Sequence, residues 1–492
     1  MSVKPQEDLQ KAHERLRKRE SLLETLESIV VAFILAFVFR AFIVEAFVIP
    51  TGSMAPTLYG AHLEFKCSDC GYEFAVGHKP GPRAVCPNCF ANQTVPENVS
   101  AYSGDRILVL KYRYDFEEPQ RWDVIVFRNP TDPAQNYIKR LVGLPGEALE
   151  LVRGDVTIDG RIAHKPDRAQ DALWMIVHDT RNRATRREFE RRWVADKPWT
   201  GRDGGFSLEQ PLPRNKVAWL TYHHRGPIGQ PDNIFDFYAY NPVLYASRTG
   251  PSICTDLGLR AEVTAGQPSS VVVFEMRAWK DRFRFELTAE GSEEPSRVTV
   301  NDKVVAQSAG GVLPVGRSVK VEVANVDCKL MLLVGDRRVA NIVSAETTPE
   351  GDPMYQPRPL TVDEREAYEH PQNPEPKTLA AEVRVGVRGG PVSVAWLRLD
   401  RDVYYTNALL GNGSGGPGHG TEGNAFLIQA DEFFVCGDNS PESFDSRLWP
   451  IARPVVPRRN LVGKAFFVYW PAAGPRLGIP LAPDPTGFRL VH

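Results

Sequence analysis

Hydrophobic residues form one long run near the start of the chain and many short runs after it. The run from Ile29 to Ile49 is interrupted only by Arg40 and Glu45. At about 1.5 Å of rise per residue, a helix over this run would cross roughly the 30 Å of a bilayer core. The pattern predicts a transmembrane helix at residues 28–49, with an alternative end near Arg40, because charged side chains are costly in hydrocarbon.

The segment before this run, residues 1–27, is polar and helix-prone and contains Lys4, Lys11, Arg15, Arg17, Lys18 and Arg19. By the positive-inside rule it predicts a cytoplasmic N-terminus, so the chain from Pro50 onward is expected outside the cytoplasm. A cleavable signal peptide is a competing interpretation, but the run is too long and no small-residue cleavage site follows it. A buried helix of a soluble protein is the other alternative. No second run of spanning length follows in the sequence, so a single anchor is predicted.

The short runs after residue 104 are bounded by glycine, proline, asparagine and aspartate, which is typical of strands. Residues 215–405 repeat this pattern at regular spacing, which predicts a β-sandwich. Its clearest runs are Ser269–Met276, Phe283–Leu287, Arg297–Val300, Ser318–Val323, Lys329–Gly335 and Ala381–Val387. The fold class is therefore predicted as mainly β, with one N-terminal transmembrane helix.

Composition agrees with this organisation. A chain of 492 residues is long enough for about two to four folded units. Its 42% hydrophobic and 24% charged residues are those of a globular protein and exclude a disordered one. A net charge of −2 provides no overall field that would favour nucleic acid, and 40 prolines with 39 glycines favour turn-rich β structure.

Four cysteines form two Cys-x2-Cys pairs, Cys67 with Cys70 and Cys86 with Cys89, separated by fifteen residues. This spacing is typical of a four-thiolate zinc ribbon, in which each pair supplies two ligands from one tight turn. Two disulfides are the alternative, because the segment is expected in an oxidising compartment. In both cases the predicted role is structural, since four protein ligands leave no open position for catalysis.

The candidate nucleophile is Ser53, in the proline- and glycine-containing stretch Pro50–Leu58 that directly follows the apolar run. A second candidate is Lys139, in the strand-like segment Tyr137–Gly146. A lone lysine is by default an edge-strand charge; as a catalytic base it would have to be desolvated, because burial lowers its pKa. The polar stretch Gly437–Arg447, taken alone, would be an ordinary surface loop.

Taken together, four ordered segments resemble the type I signal peptidases, or leader peptidases, which use a Ser–Lys dyad. The segments are Gly52–Leu58, Gly104–Phe127, Tyr137–Gly146 and Gly437–Arg447. The resemblance covers roughly residues 28–60, 101–165 and 431–471. One departure is Trp122, where the family usually has glycine, which changes a turn and no catalytic group.

The resemblance implies that Ser53 is similar to the family's nucleophile and Lys139 to its general base. Thr51 falls where the family places a hydroxyl that helps to bind the oxyanion. The residue types agree, because no histidine lies in the matching segments and a Ser-His-Asp triad would lack its base. A neutral, buried lysine can take the serine proton and return it to the leaving amine. No cofactor is expected for catalysis.

The resemblance also implies supporting roles near the C-terminus. Ser443 falls on the serine that orients the lysine, and Asp445 and Arg447 fall on a supporting ion pair. Asp438 and Asn439 would hold the loop near the site.

The predicted function is that of a signal peptidase I, a membrane-anchored serine endopeptidase that cleaves N-terminal signal peptides from secreted preproteins after small residues. Its expected place is the inner (cytoplasmic) membrane, single-pass, with the catalytic domain outside the cytoplasm. The expected partners are preproteins and the lipid bilayer, with no nucleic acid. One alternative is a Ser–Lys protease of another substrate class, such as a self-cleaving repressor. Another is a catalytically inactive, membrane-tethered binding or scaffold protein that uses the zinc ribbon and β-sandwich.

The predicted catalytic core has three parts, at residues 50–60, 101–167 and 431–492. A zinc-ribbon-like insertion at residues 61–100 and a β-sandwich insertion with linkers at residues 168–430 separate them. Within the second insertion, Val334–Val339 and Val392–Leu399 look like parts of concanavalin-type lectin or laminin-G-like sandwiches. That resemblance implies binding of cell-envelope carbohydrate or protein, by analogy of fold, and an inert spacer is the alternative.

Overall fold

The computed structural model describes residues 23–35, 37, 38, 40, 43–78, 81, 83–96, 101–186, 192–202, 204–226, 232–241, 252–339, 341–343, 345–369, 379–406, 418–470 and 488–492. The basic residues of the predicted cytoplasmic segment lie outside these ranges. The helices are α1 (residues 23–35), α2 (Arg113–Phe116), α3 (Asp167–Leu173) and α4 (Val362–Glu369). Single turns of 3-10 helix lie at Gly52–Met54, Ser440–Glu442 and Arg458–Asn460.

The first strands begin the core and build the four-cysteine module. In chain order they are β1 (Val44–Val48), β2 (His62–Lys66), β3 (Glu73–Gly77), β4 (Arg83–Val85), β5 (Asn92–Thr94), β6 (Arg106–Leu110), β7 (Val124–Arg128), β8 (Asn136–Gly143), β9 (Ala148–Val152), β10 (Asp155–Ile158) and β11 (Arg161–Ile162).

The next strands belong to the large insertion. They are β12 (Met175–Asp179), β13 (Trp193–Ala195), β14 (Thr200–Arg202), β15 (Gly205–Leu208), β16 (Ala218–Tyr222), β17 (Leu257–Ala265), β18 (Ser270–Ala278), β19 (Asp281–Thr288), β20 (Arg297–Val300), β21 (Lys303–Gln307), β22 (Ser318–Val326), β23 (Lys329–Val334), β24 (Arg337–Arg338), β25 (Asn341–Ile342), β26 (Ala381–Gly389) and β27 (Val392–Arg401). The last strands return to the core: β28 (Phe426–Leu427), β29 (Glu432–Cys436), β30 (Val456–Pro457), β31 (Leu461–Trp470) and β32 (Arg489–Leu490).

The core is built on one antiparallel sheet in the order β1-β6-β31-β7-β8-β29-β30, with β32 paired to β31. Alternate side chains of its strands bury an apolar cluster that includes Ile107, Val109, Val126 and Ala465. Strand β8 lies between β7 and β29, so segments that are distant in sequence meet beside it. This position places Lys139 near residues from both ends of the chain.

The predicted transmembrane helix at residues 28–49 is wrong in its last part. Residues 23–35 are helical, but Val44–Val48 forms β1 and pairs with β6. Glu45 Oε2, on this strand, lies 3.3 Å from Lys111 Nζ in an ion pair. In the part of the chain that the structure describes, no helix is both long enough and apolar enough for a membrane crossing. A continuous apolar run does not distinguish helix from strand, which explains the error.

Two large antiparallel sheets make up most of the insertion. One has the order β14-β15-β27-β17-β22-β23-β24, with β12 paired to β27, and the other has the order β13-β16-β26-β18-β19-β20-β21-β25. Side chains from both sheets share one hydrophobic core, which includes Leu259, Val323, Phe274 and Val385. The prediction of a mainly β chain is confirmed, and the β-sandwich stays our interpretation of these two sheets.

A third, smaller sheet ties the end of the insertion to the core. Strand β28, which lies before the predicted boundary at residue 430, pairs with β9 in the order β11-β10-β9-β28. Helix α3 packs on the same apolar cluster through Leu173, next to Leu149 of β9. The chain therefore returns to the core through this sheet before it enters β29.

Trp122, the departure from the family's glycine, adopts a φ of 76°. This left-handed conformation is costly for a bulky residue. The indole packs in the cluster with Val142 and Leu149, and its Nε1 donates to the His164 carbonyl oxygen at 2.9 Å. Tertiary packing thus holds tryptophan in a turn that glycine would form without strain.

Candidate active site

Ser53 lies in the 3-10 turn that follows β1. Met54 anchors this turn, because its side chain is fully buried in the core cluster. Glycine is required at position 52, since a Cβ there would lie 2.0 Å from Tyr240 Cε1. The turn therefore fixes Ser53 with 8% of its surface exposed, just beyond the edge strand of the core sheet.

Lys139 reaches Ser53 from β8. Its Nζ lies 2.7 Å from Ser53 Oγ and 3.0 Å from the Ile138 carbonyl oxygen. Burial lowers the pKa of Lys139 to about 8, although Asp445 raises it, and Arg447 lowers it further. An amine with this pKa has a substantial neutral fraction near neutral pH, so it is able to accept a serine proton.

The stretch Gly437–Arg447 surrounds a buried carboxylate beside this pair. Ser443 Oγ donates to Asp445 Oδ2 at 2.6 Å, and the Gly437 N–H donates to the same oxygen at 2.8 Å. Arg447 forms an ion pair with Asp445, with Nε and Nη2 at 2.8 and 2.7 Å from its oxygens. Ser443, expected to orient the lysine, thus donates its hydrogen bond to the carboxylate.

Glycine at position 437 permits the close approach of this loop to Ser53. A Cβ there would lie 2.2 Å from Ser443 Oγ and 2.5 Å from the Ser53 carbonyl oxygen. The backbone N–H of Asn439 donates to the same Ser53 carbonyl at 3.0 Å. The C-terminal loop therefore bonds directly to the backbone of Ser53.

Arg140 follows Lys139 on β8 and points to the opposite face of the sheet. It is fully buried, and its Nε and Nη2 each donate to an oxygen of Asp438 at 2.7 Å. Its Nη1 donates to the carbonyl oxygens of Trp122 and His492, both at 2.8 Å. This pair binds the C-terminal loop to the strand that carries Lys139. Arg140 lies inside the lysine segment, but nothing in the sequence marks it as part of the site.

Thr51 is exposed and makes no side-chain capping hydrogen bond to the turn that follows it. Its part in oxyanion binding stays a prediction, because that role is a hydrogen bond from the Thr51 hydroxyl to the carbonyl oxygen of a bound substrate.

Two residues of the insertion, Tyr240 and Asn241, also reach the site. The Tyr240 ring lies against Gly52, and its hydroxyl donates to the Ala61 carbonyl oxygen at 3.2 Å. Asn241 exchanges hydrogen bonds with Asn439, at 2.9 and 2.7 Å. Neither residue lies in a recognisable motif, so nothing in the sequence pointed to them.

The four predicted cysteine ligands come together in the module of hairpins β2–β3 and β4–β5. Cys67, Cys70, Cys86 and Cys89 are buried and unpaired, and their sulfur atoms lie within 4.8 Å of one another. Backbone and amide N–H groups point at the sulfurs: Gln93 Nε2 lies 3.5 Å from Cys67 Sγ. Four thiols with N–H donors around them fit a structural zinc ion, which prefers tetrahedral sulfur ligands.

A second buried lysine lies where the core meets the insertion. Lys165 Nζ is 2.8 Å from Asp402 Oδ2 and also pairs with Asp327. Asp155 and Asp256 complete a group of four carboxylates within 4.8 Å of one another. Burial alone would lower the pKa of Lys165, but the carboxylates of Asp327, Asp402 and Asp155 together raise it well above its ordinary value.

Comparison with known families identifies two matching segments. The family described as Signal peptidase, peptidase S26, matches residues 92–193 and 385–470. These ranges contain Lys139 and the Gly437–Arg447 stretch, and Ser53 lies before them.

Two curated relatives are similar to this chain. Signal peptidase I of Pseudomonas fluorescens is 30% identical over 187 residues, which are 35% of this chain and 55% of the relative. Signal peptidase I of Pseudomonas aeruginosa is 30% identical over 201 residues, 38% of this chain and 58% of the relative. The chain thus spans little more than half the length of these relatives. The resemblance to the type I signal peptidases is confirmed.

Among solved structures, the carbohydrate binding module CBM66 from Bacillus subtilis is similar at 8% identity and a TM-score of 0.24. The match covers 42% of this chain and 92% of the module. A likeness at this score carries no argument about the insertion.

Proposed function

We propose that this chain, a relative of the type I signal peptidases, is a membrane-anchored serine endopeptidase that removes signal peptides from secreted preproteins. The observation that carries the proposal is the 2.7 Å approach of Lys139 Nζ to Ser53 Oγ in a buried site. A serine hydroxyl needs a base within hydrogen-bond reach to become a nucleophile. The low pKa of Lys139, caused mainly by burial, makes its neutral amine available for this task.

In the proposed reaction, Lys139 Nζ takes the hydroxyl proton while Ser53 Oγ attacks the scissile carbonyl carbon. The C–N bond then breaks, and the Lys139 ammonium returns the proton to the leaving amine. Water hydrolyses the resulting acyl-serine ester, with Lys139 again as the base. The Ser53 N–H and the Thr51 hydroxyl are the proposed donors to the oxyanion.

The proposed substrate is an extended peptide with small residues at the −1 and −3 positions. Strand β1 is an end strand of the core sheet among the described residues, and it leads directly into the Ser53 turn. A peptide that adds along this edge would place its backbone in register with Ser53. Small pockets near the turn would then select the side chains.

The proposed location is the inner membrane, with the N-terminus in the cytoplasm. The second half of helix α1, residues 29–35, contains only apolar residues, and its large side chains are exposed: Ile29 by 47% and Phe33 by 61%. A contiguous set of exposed apolar side chains is suited to contact with a membrane or another protein rather than with water. An anchor here would keep Ser53 close to the membrane surface, where a signal peptide's own apolar segment ends.

A cleavage assay tests this proposal. The full chain in detergent micelles is incubated with a preprotein that has alanine at −1 and −3, and with a matched preprotein that has a bulky residue at −1. Wild type is expected to cut only the first, while Ser53→Ala and Lys139→Ala cut neither. Equal cleavage by wild type and Ser53→Ala, or none by any of them, would overturn the proposal and favour a non-enzymatic binding protein.

The four cysteines are proposed to hold structural zinc, with no part in catalysis. Metal analysis of the purified chain beside a free-thiol count tests this directly. About one zinc per chain is expected by the four-ligand rule. Metal-free protein with two disulfides in this module would contradict it.

A further inference from the structure

A short segment of the insertion runs from the two large sheets to the Ser53 turn. At its beginning, Phe235 forms a β-bridge with Ile253, and Arg401 Nη2 donates to the Phe237 carbonyl oxygen at 2.9 Å. At its end, the Tyr240 carbonyl oxygen accepts from the Gly77 N–H at 2.7 Å. The segment is therefore held by the insertion and by the four-cysteine module before it reaches Asn241.

Asn241 and Asn439 face each other as a pair of side-chain amides. Asn241 Nδ2 donates to Asn439 Oδ1 at 2.9 Å, and Asn439 Nδ2 donates to Asn241 Oδ1 at 2.7 Å. Asn241 is 5% exposed and Asn439 1% exposed. Water therefore cannot easily replace either partner, and buried amide groups without partners are costly.

Asn439 in turn donates hydrogen bonds to the two backbone carbonyl groups that flank Ser53, one before it and one after it. Its Nδ2 donates to the Gly52 carbonyl oxygen at 3.0 Å, and its backbone N–H donates to the Ser53 carbonyl oxygen at 3.0 Å. A carbonyl oxygen only accepts, so the Asn439 amide serves the turn in one orientation and would repel it in the flipped one. The Gly52 carbonyl therefore sets the orientation of the Asn439 amide, and Asn241 matches that orientation by offering its oxygen to Nδ2 and its N–H to Oδ1.

We infer that Asn241 is a positioning residue of the active site, which acts through Asn439 to hold the Ser53 turn at its distance from Lys139. This inference rests on the proposed function and adds a residue from the large insertion to the catalytic apparatus. The insertion then does more than cover the core, because the segment that ends at Asn241 helps to hold the nucleophile in place.

The expected effect falls on turnover rather than on substrate binding. Asn241→Ala leaves both polar atoms of the Asn439 amide without this partner, so the amide is free to rotate away from Gly52. A displaced Ser53 Oγ loses its 2.7 Å approach to Lys139 Nζ. Misplacement of about 1 Å commonly costs around 100-fold in rate, so we expect kcat to fall about 10- to 100-fold, with KM within about twofold of wild type.

Asn233→Ala is the matched control. Asn233 is a buried asparagine of the same segment, but its side chain bonds to the Ala380 N–H at 2.9 Å and to the Tyr368 carbonyl oxygen at 3.3 Å, within the insertion. Both variants remove one buried amide, so a general loss of stability should appear in both. Only Asn241→Ala should lower kcat.

The experiment measures kcat and KM on the alanine-containing preprotein, together with hydrogen–deuterium exchange of the peptide that covers residues 51–60. Lower kcat and faster exchange at residues 51–60 in Asn241→Ala, with neither in Asn233→Ala, support the inference. Unchanged kcat in Asn241→Ala, an effect on KM alone, or equal effects in both variants would overturn it.

Exchange also separates this inference from the proposed function. If wild type cuts no preprotein, the proposed function fails, and exchange at residues 51–60 still decides whether Asn241 holds the turn. Unchanged exchange there would reject the inference. If Asn241→Ala does not fold, Asn241→Ser gives the same test, because serine replaces the parallel N–H and C=O of the amide by a single hydroxyl on a shorter side chain.

Discussion

Lys139 and Lys165 are two buried lysines with opposite electrostatic surroundings. Lys139 Nζ lies 2.7 Å from a serine hydroxyl, and burial lowers its pKa to about 8. Lys165 Nζ lies among carboxylates, which raise its pKa well above its ordinary value despite equal burial. Burial alone therefore does not make a lysine a base; the charge of its neighbours decides.

A carboxylate also lies near Lys139, but it is neutralised by another partner. Asp445 receives hydrogen bonds from Ser443 and Gly437 and forms a buried ion pair with Arg447. Its charge raises the pKa of Lys139, while the charge of Arg447 lowers it. Because Arg447 pairs with Asp445, the site holds an ordered carboxylate that does not act as a counter-ion for Lys139. Burial therefore remains the main influence on the pKa of Lys139 and lowers it.

The largest expected effect is the loss of activity in Lys139→Met. Methionine has a similar length but no base, so turnover should fall by about 10²–10⁴-fold or below detection. The thermal unfolding midpoint should stay level or rise, because a buried amine without a counter-ion is removed. Initial rates and calorimetry check both parts. Near-normal cleavage by this variant would show that Lys139 is not the base.

Lys165→Met should give the reverse result. It leaves the carboxylates of Asp155, Asp256, Asp327 and Asp402 without their lysine, and uncompensated buried charge typically costs about 3–5 kcal/mol. Chemical denaturation should show this loss, while kcat per folded molecule stays near that of wild type. Replacing Asp327 and Asp402 by asparagine in the same chain should recover part of the stability. A stable Lys165→Met protein with low kcat would contradict the comparison.

The pH dependence of activity should follow Lys139 alone. In the proposed mechanism its neutral form is the base, so kcat/KM should fall about tenfold per pH unit below the pKa of about 8 and level off above it. Lys165→Met, measured under folding conditions, should keep the same acid limb. If the acid limb of the kcat/KM profile lay near pH 5, or shifted in Lys165→Met, the titrating group would not be Lys139.

The two lysines should also give stability slopes of opposite sign at alkaline pH. The folded pKa of Lys139 lies below its ordinary value of 10.5, so its native form binds fewer protons and stability rises between about pH 8 and 10.5. The folded pKa of Lys165 lies above its ordinary value, so its contribution is present below pH 10.5 and is lost as pH rises through the folded pKa. Denaturation of each methionine variant beside wild type, from pH 8 to above pH 10.5, measures the two slopes.

The smallest expected effect is that of Ser443→Ala. Its hydroxyl bonds to Asp445, which keeps the Gly437 N–H and Arg447 as partners. Loss of one such hydrogen bond should cost about 1–3 kcal/mol of stability and less than about tenfold in kcat. A loss of about 100-fold in kcat at unchanged stability would instead place Ser443 directly on Lys139 during turnover.

The sequence was most informative where a short segment combines a distinctive residue type with a resemblance to a known family. Ser53 and Lys139 each lie in such a segment, and the strands of the insertion alternate clearly enough to be located. The predicted run Arg297–Val300 coincides with β20, and Ser318–Val323 lies within β22. In contrast, β1 was not predicted, because it lies in a continuous apolar run without the alternation of apolar and polar residues that identifies a strand.

Contacts that depend on how the insertion folds back were not predictable. Asn241 and Asn439 are 198 positions apart, and neither has a neighbour pattern that signals pairing. The carboxylates around Lys165 come from Asp155, Asp256, Asp327 and Asp402, each in a turn or strand end that would be ordinary on a surface. Only the tertiary packing of the large sheets on the core brings them together.

The most direct test of the central claim is the protonation state of the two amines. The full chain is labelled with 15N at lysine Nζ, the signals are assigned with Lys139→Met and Lys165→Met, and the spectra are followed from pH 6 to pH 11. Lys139 is expected to lose its proton near pH 8, while Lys165 is expected to stay protonated above pH 10.5, its ordinary value. A Lys139 amine that stays protonated beyond pH 10 would contradict this claim.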